Sequence, residues 1–271
     1  MATFVIVHGA WSGAHAWRWI RPLLRAAGHE VVTPSLTGLG ERAHLATPTT
    51  DLDTHITDVT AVLHFEDLTD VVLVGHSYGG MVITGVADRA PERIGRLVYL
   101  DADVPRDGES ELHLVPAEER AGYEESARTQ GDGWKVPPPF PDPLPPGLPP
   151  EVVWAVSRMV PQPLATFAQP LHLEHEEPDL PRTFVLCTEG KEGEAEPPYL
   201  ARVRADPAWQ LVALAATHTA HVTAPEELSA KLQDIAAGQS EETTTDRTAL
   251  APDRNAAGGI PTARPGASAG R

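Results

Sequence analysis

Apolar residues fall along this chain in short unbroken runs, each ending in a cluster of glycine, proline or polar residues. TFVIV (3–7) is the first, a β-branched and aromatic run followed at once by turn residues. Such a run, with no polar alternation, suits a strand buried on both faces. The same holds for EVVTP (30–34), DVVLVG (70–75), RLVYLDA (96–102), RTFVLCT (182–188) and WQLVALA (209–215). Between the runs the spacing becomes helical, over 14–27 (ending at Gly28), 54–66 and 80–90, and over 224–237 after the last strand. Strands alternating with helices at this interval predict an α/β domain with a mostly parallel, doubly wound sheet.

The alternation stops near Val104. From there to about Pro181 the chain is polar and then proline-rich, as in KVPPPFPDPLPPGLPP (135–150), and a helical piece follows over 150–160. Proline lacks the N–H and the φ freedom that sheet and helix interiors need, so this segment reads as an extended crossing or lid. The predicted organisation is a core of 1–103 and 182–237 and a cap of 104–181, proline-rich at 137–150. A tail at 238–271 has no periodicity and is expected to be disordered.

Chemistry enters at GHSYG (75–79), a G-x-S-x-G pattern between a predicted strand and a predicted helix. A nucleophilic serine needs this setting. The glycines let neighbouring backbone pass close to a sharp turn, and the following helix aims its N-terminus at the developing anion. The plainer alternative is a glycine-rich turn with a bystander serine; the flanking strand and helix favour the nucleophile, Ser77. An oxyanion hole needs two backbone N–H groups, one after the nucleophile and one from the loop after the first strand. Tyr78 supplies the first, and HGAW (8–11) makes Ala10 the natural second. His8 and His76 read as hydrogen-bonded struts at these turns. Trp11 stands close enough to the loop to touch a substrate, and Trp17 and Trp19 read as core or pocket wall.

Composition narrows the function classes. A chain of 271 residues with 41% apolar content is one soluble domain with a packed core. A formal charge of -17 argues against nucleic acid and anionic membrane as partners, since both need basic surface. Cys187 is the lone cysteine, so no intrachain disulfide forms and a reducing compartment is expected. MATFVIVHGA has no basic n-region, and no run reaches the roughly 18 apolar residues of a membrane helix. The expectation is a cytoplasmic protein acting on a small molecule, of undetermined oligomeric state.

Two clusters of acids and histidines could suggest a metal. In DLDTHITD (51–58), Asp51, Asp53, His55 and Asp58 precede a helical run, where Asp and Thr are ordinary N-cap residues. LHLEHEEPD (171–179) carries His172 and His175 among glutamates and reads as a solvated cap segment. Neither is the convergent buried set a metal needs, so no metal site is expected.

VIVHGAWSGAHAW, LTGLGER, VVLVGHSYGGMV and LVYLDADVP, in this order, resemble the α/β-hydrolase superfamily. More narrowly, they resemble its branch of small methylesterases, salicylate-binding esterases and hydroxynitrile lyases. The resemblance spans about residues 3–235, is dense to about 108 and weak through the proline-rich segment. It implies an α/β-hydrolase fold with a cap inserted after the sixth strand of that fold, a Ser-His-Asp triad and no cofactor. In the family the catalytic histidine stands seven residues before a proline that opens the last helix. In ATHTAHVTAPEE (216–227) that proline is Pro225, so the histidine is His218. His221 then packs or lines the pocket.

The acid departs from the family pattern. The resemblance implies an aspartate after the penultimate strand, in a segment shaped like C-T-x-D-x-x-x-P-P, but here CTEGKEGEAEPP (187–198) puts Gly190 or Gly193 there. Glu189, Glu192 and Glu194 lie alongside. Some members, the haloalkane dehalogenases among them, carry the acid after the strand that follows the elbow helix, where this chain has Asp101, with Asp103 two residues on. Asp101 is the first choice, Glu192 or Glu194 the second; a plain strand-end cap is the structural alternative for Asp101.

The reading is a serine hydrolase, carboxylesterase-like, that cleaves a small apolar ester through an acyl-enzyme. The alternative is a non-hydrolytic protein on the same fold that binds a small molecule or steers a cyclisation or isomerisation. Hydroxynitrile lyase chemistry is disfavoured. The resemblance requires threonine after the first loop histidine and lysine after the catalytic one, and these positions are Gly9 and Thr219.

Overall fold

The computed structural model describes residues 1–175, 180–191 and 196–238. Its strands are β1 (Thr3–Val7), β2 (Glu30–Val32), β3 (Val71–His76), β4 (Ile94–Leu100), β5 (Lys135–Val136), β6 (Gln162–Pro163), β7 (Arg182–Cys187) and β8 (Trp209–Leu214). Six of them form one sheet in the order β2-β1-β3-β4-β7-β8, with every neighbouring pair parallel. β5 and β6 make a separate antiparallel ribbon.

Both faces of the sheet are covered, which is why its strands are predominantly apolar and carry buried residues on both sides. Val5, Leu73 and Tyr99 pack on the side of α2 (Leu52–Phe65) and α3 (Gly79–Arg89). Their neighbours Phe4, Val74 and Val98 pack on the opposite side with α1 (Ile20–Ala26), α10 (Pro225–Ala236) and Trp17. A fully buried side chain of this size is worth about 1.5–3 kcal/mol, so both faces contribute to the core.

The chain runs from β1 outward to β2 and then returns to β3 on the other side of β1. That reversal opens a crevice at the carboxyl ends of β1 and β3, where open α/β sheets take their ligands. The loops carrying Ala10 and Ser77 leave the sheet at this point.

The long insertion follows β4, the strand that the family resemblance numbers sixth. It holds α4 (Glu111–Leu114), α5 (Ala117–Gln130), α6 (Pro150–Val156) and α7 (Leu164–Ala168); α8 (Pro198–Ala205) and α9 (Ala220–Thr223) belong to the later part of the chain. The proline-dense stretch between β5 and α6 carries neither helix nor strand. Sequence periodicity missed α5 because Ala127 is its one buried residue, leaving no apolar stripe. The signals were Pro116 before it and Glu118 and Glu119 in its first turn.

The helix expected over 14–27 is in two parts, a 3-10 turn over Ala14–Arg18 and then α1. Pro22 explains the break, since in a continuous helix its ring would meet the Arg18 carbonyl. The helix expected over 150–160 stops at Val156. Apart from Gly238, the tail at 238–271 lies outside the described residues. Among the described residues no helix is long and apolar enough to cross a membrane.

Candidate active site

Ser77 is the first residue after β3, and its φ of 53 lies in the left-handed region. Two other non-glycine residues share this conformation at the same edge of the sheet, Trp11 (φ 59) after β1 and Asp101 (φ 43) after β4. Strain of this kind, of order 1–3 kcal/mol per residue, persists where surrounding structure holds it and clusters at functional sites. At the elbow, the Ser77 N–H donates to the Leu100 carbonyl (3.3 Å) and its own carbonyl accepts from Gly80 N–H (2.9 Å) and Asp103 N–H (3.2 Å). Gly75 is required here, because a Cβ on it would lie 2.6 Å from the Gly79 carbonyl oxygen.

Asp101 and His218 meet directly. His218 Nδ1 lies 2.7 Å from Asp101 Oδ2. Since the carboxylate accepts, Nδ1 carries the proton and the Nε2 lone pair is free to take another. The other oxygen, Oδ1, accepts from Lys191 Nζ at 2.5 Å and from the Cys187 N–H at 3.3 Å. The aspartate side chain is 4% exposed and that of His218 48%. Burial, the largest single influence, would raise the Asp101 carboxyl. The hydrogen bond and charge of His218, with Lys191, outweigh it and hold the carboxyl below its usual range. Lys191 lies in the segment where the family pattern expects the acid itself. Sequence reasoning missed it; the signal was a lone lysine among glutamates there. Gly190 has φ 76, and Glu192, Gly193 and Glu194 lie outside the described residues.

Behind His218 stands a stack of buried rings. His76 Nε2 donates to the His218 carbonyl (2.8 Å), and its ring lies 4.7 Å from that of His218 and 4.6 Å from that of His221. His221 in turn packs on Trp17 at 4.7 Å. His221 is buried, so its surroundings are the core. Burial, then the neighbouring histidines, push His76 well below its ordinary value; burial and then His218 push His221 down to about 3.

The loop after β1 lies against the elbow, since a Cβ on Gly9 would come within 3.0 Å of both Ser77 Cβ and His76 Nδ1. His8 acts as a strut. It accepts the Leu36 N–H at Nε2 (3.1 Å), which leaves Nδ1 to donate to the Gly9 carbonyl (2.8 Å). The Tyr78 hydroxyl donates to His55 Nδ1 (2.9 Å), whose Nε2 donates to the Thr37 carbonyl (2.9 Å). His55 therefore steadies the residue after the serine. Among the described residues the N–H groups of Ala10 and Tyr78 meet no protein acceptor.

The other sequence clusters have local roles. Asp51 caps α2 by accepting from Thr54 N–H (3.0 Å), Asp53 pairs with Arg89 (2.5 Å) and Asp58 with Arg42 (3.1 Å). His175 Nδ1 lies 3.3 Å from Asp88.

The Alpha/beta hydrolase family profile matches residues 4–231. A carbendazim hydrolyzing esterase from Nocardioides sp. (strain SG-4G) is 40% identical over 240 residues, covering 86% of this chain and 98% of its own. Methylesterase 1 of Arabidopsis thaliana is 36% identical over 113 residues, 38% of this chain and 40% of its own. Among solved structures, an extracellular α/β-hydrolase from a Paenibacillus species has a TM-score of 0.72 at 24% identity, covering 87% of this chain and 99% of that one. A pyrethroid hydrolase from Sphingobium faniae has a TM-score of 0.63 at 21% identity, with 87% and 97% covered. With a sheet switch point, a strained serine elbow and this match along its length, the chain belongs to the alpha/beta hydrolase family.

Proposed function

We propose that the protein is a serine hydrolase that cleaves small apolar esters, with Ser77 as nucleophile, His218 as base and Asp101 as acid. The observation that carries this reading is the 2.7 Å bond from His218 to Asp101, at the sheet edge where Ser77 sits. His218 Nε2 takes the hydroxyl proton as Ser77 Oγ attacks the ester carbonyl. The tetrahedral oxyanion is held by the N–H groups of Ala10 and Tyr78 at the head of α3. On collapse, His218 returns the proton to the leaving alkoxide, which departs as an alcohol. Water then gives its proton to His218 and attacks the acyl-enzyme, releasing the acid and restoring Ser77. Asp101 holds the imidazole tautomer and stabilises the cation formed twice in the cycle.

Residues 104–181 serve as the cap over this centre, and the Trp11, Tyr123 and Phe167 rings, packed edge to face or tilted at 5.5–5.7 Å, give it an apolar roof. The buried lone cysteine, Cys187, accords with a cytoplasmic location. The Asp101–His218 bond favours hydrolysis over the non-hydrolytic alternative, and Gly9 and Thr219 stand against cyanide-releasing chemistry.

The test is intact mass after incubation with a fluorophosphonate, together with turnover of a panel of small esters that includes carbendazim. One adduct, abolished in Ser77→Ala, and turnover lost in Ser77→Ala and His218→Ala are expected. No adduct on the wild-type protein, or full activity in either variant, would overturn the reading.

A further inference from the structure

Trp11 follows Ala10 in the loop after β1, yet every polar bond it makes reaches into the inserted segment. Its N–H donates to Gln162 Oε1 (2.8 Å), its carbonyl accepts from Val160 N–H (2.9 Å) and its indole Nε1–H donates to the Val136 carbonyl (2.9 Å). Its ring rests edge-on against Tyr123 and Phe167 of the same segment. A tryptophan at φ 59 is intrinsically disfavoured, and these contacts oppose its relaxation.

Gln162 is wholly buried. Its Nε2 donates to Thr166 Oγ1 (2.9 Å), whose own proton goes to the Pro163 carbonyl (2.8 Å). With that hydroxyl proton committed, the amide has one satisfied orientation, Oε1 toward Trp11.

We infer that Gln162 is a positioning residue for the oxyanion hole, through which the cap sets the direction of the Ala10 N–H. The Gly9 carbonyl and the Ala10 N–H share one planar peptide and point in opposite directions. His8 holds the carbonyl side of that plane at 2.8 Å, from the core. Gln162 holds the next peptide by its N–H, from the cap. The two anchors bracket Ala10, so a cap displaced from Trp11 releases the donor as well as uncovering the site. The inference rests on the proposed hydrolase reading, because it gives Ala10 the oxyanion.

The test compares Gln162→Met, which keeps size but loses the acceptor, with Gln162→Glu, which keeps an oxygen for Trp11. Turnover of p-nitrophenyl acetate is measured per fluorophosphonate-titrated Ser77, so misfolded protein is not counted, together with inhibition by a boronic acid. Gln162→Met is expected to lower kcat about 10–100-fold and weaken the boronic acid similarly, with KM within about twofold. Gln162→Glu should regain most of the loss. Thr166→Val, which removes the acceptor of Gln162 Nε2 and so loosens the amide, should lower kcat about 3–10-fold. Unchanged kcat in Gln162→Met, unchanged boronic acid affinity, or a Glu variant no better than Met would overturn the inference. If Gln162→Met yields no folded protein, Thr166→Val decides, and wild-type kcat there overturns it. A wild-type protein that neither takes the fluorophosphonate nor turns over the ester overturns the hydrolase reading and this inference together. Normal wild-type turnover beside unaffected variants overturns this inference alone.

Discussion

Asp101 Oδ2 and His218 Nδ1 lie 2.7 Å apart although 117 positions separate them in the chain. The bond joins the end of β4 to the loop after β8, across β7, whose Cys187 N–H and following Lys191 meet the other carboxylate oxygen. An acid placed here would stand in for one placed after β7, because parallel neighbours in the sheet end at the same edge.

Replacing Asp101 by asparagine tests that placement. The amide would offer His218 a donor as readily as an acceptor, so the tautomer control is lost. A fall in kcat of about 10³–10⁴-fold is expected, with the fluorophosphonate reaction slowed as well. Steady-state kinetics beside Glu192→Gln and Glu194→Gln, both expected to stay near wild type, would locate the acid. A large loss in either glutamate variant and none in Asp101→Asn would move it.

Lys191→Met removes the ammonium 2.5 Å from Asp101 Oδ1 and leaves the Cys187 N–H as its described donor. With the lysine partly exposed, loss of this donor to the buried carboxylate costs about 1–3 kcal/mol, which for a domain of this size lowers Tm by about 2–10 °C. Because the His218 bond uses the other oxygen, kcat should fall less than about tenfold. A calorimetric scan with a single-pH kcat decides this. A kcat loss as large as that of Asp101→Asn would contradict it.

Gly9→Ala tests the packing of the loop on the elbow. The added methyl would stand 3.0 Å from Ser77 Cβ and His76 Nδ1, so either the loop or the serine must shift. A displacement of about 1 Å can cost about 10²-fold in rate, so one of a few tenths of an ångström is expected to lower kcat by about 2–10-fold. Retention of wild-type kcat by a folded Gly9→Ala protein would show that the loop has room to give.

The buried histidines predict acid lability. Burial lowers His8 and His55 to about 4 and His221 to about 3, and takes His76 well down. Each stays neutral in the folded protein and gains a proton on unfolding below about 6.5, so their stabilisation is present above that pH and is lost as pH falls. Asp103, raised by burial to about 6, and Glu111, raised by burial and then by Asp103, act oppositely, because the folded state binds their protons first. The lowered histidines, His15 among them, outnumber the two raised carboxyls, so unfolding takes up protons on balance and stability slopes downward as pH falls below about 6.5. Urea unfolding at pH 6.0, 5.5 and 5.0 should show this slope, and a flat profile would refute it.

How much of this was legible in the chain depends on the range of the interaction. The apolar runs marked all six strands of the main sheet, because a strand covered on both faces is apolar over most of its length. The serine elbow was equally plain, since its strained turn needs glycines at fixed local offsets. α5 escaped because a surface helix that buries one alanine leaves no stripe, and the break before α1 turned on Pro22 alone. The family resemblance put His218 and Asp101 forward. It left the acid open between Asp101 and the glutamates after β7, because strand order in the sheet brings distant loops together and is not written in any local pattern.

The sequence by itself determined the α/β alternation, the elbow at Ser77 and the interruption by a proline-rich insertion, all set by local sterics and by periodicity of burial. Only the tertiary structure decided that Asp101 faces His218, that Lys191 meets the same carboxylate and that Gln162 reaches Trp11. Each is a contact between strand ends or loops that are far apart in the chain, made adjacent by parallel pairing and by the return of the insertion onto the sheet edge.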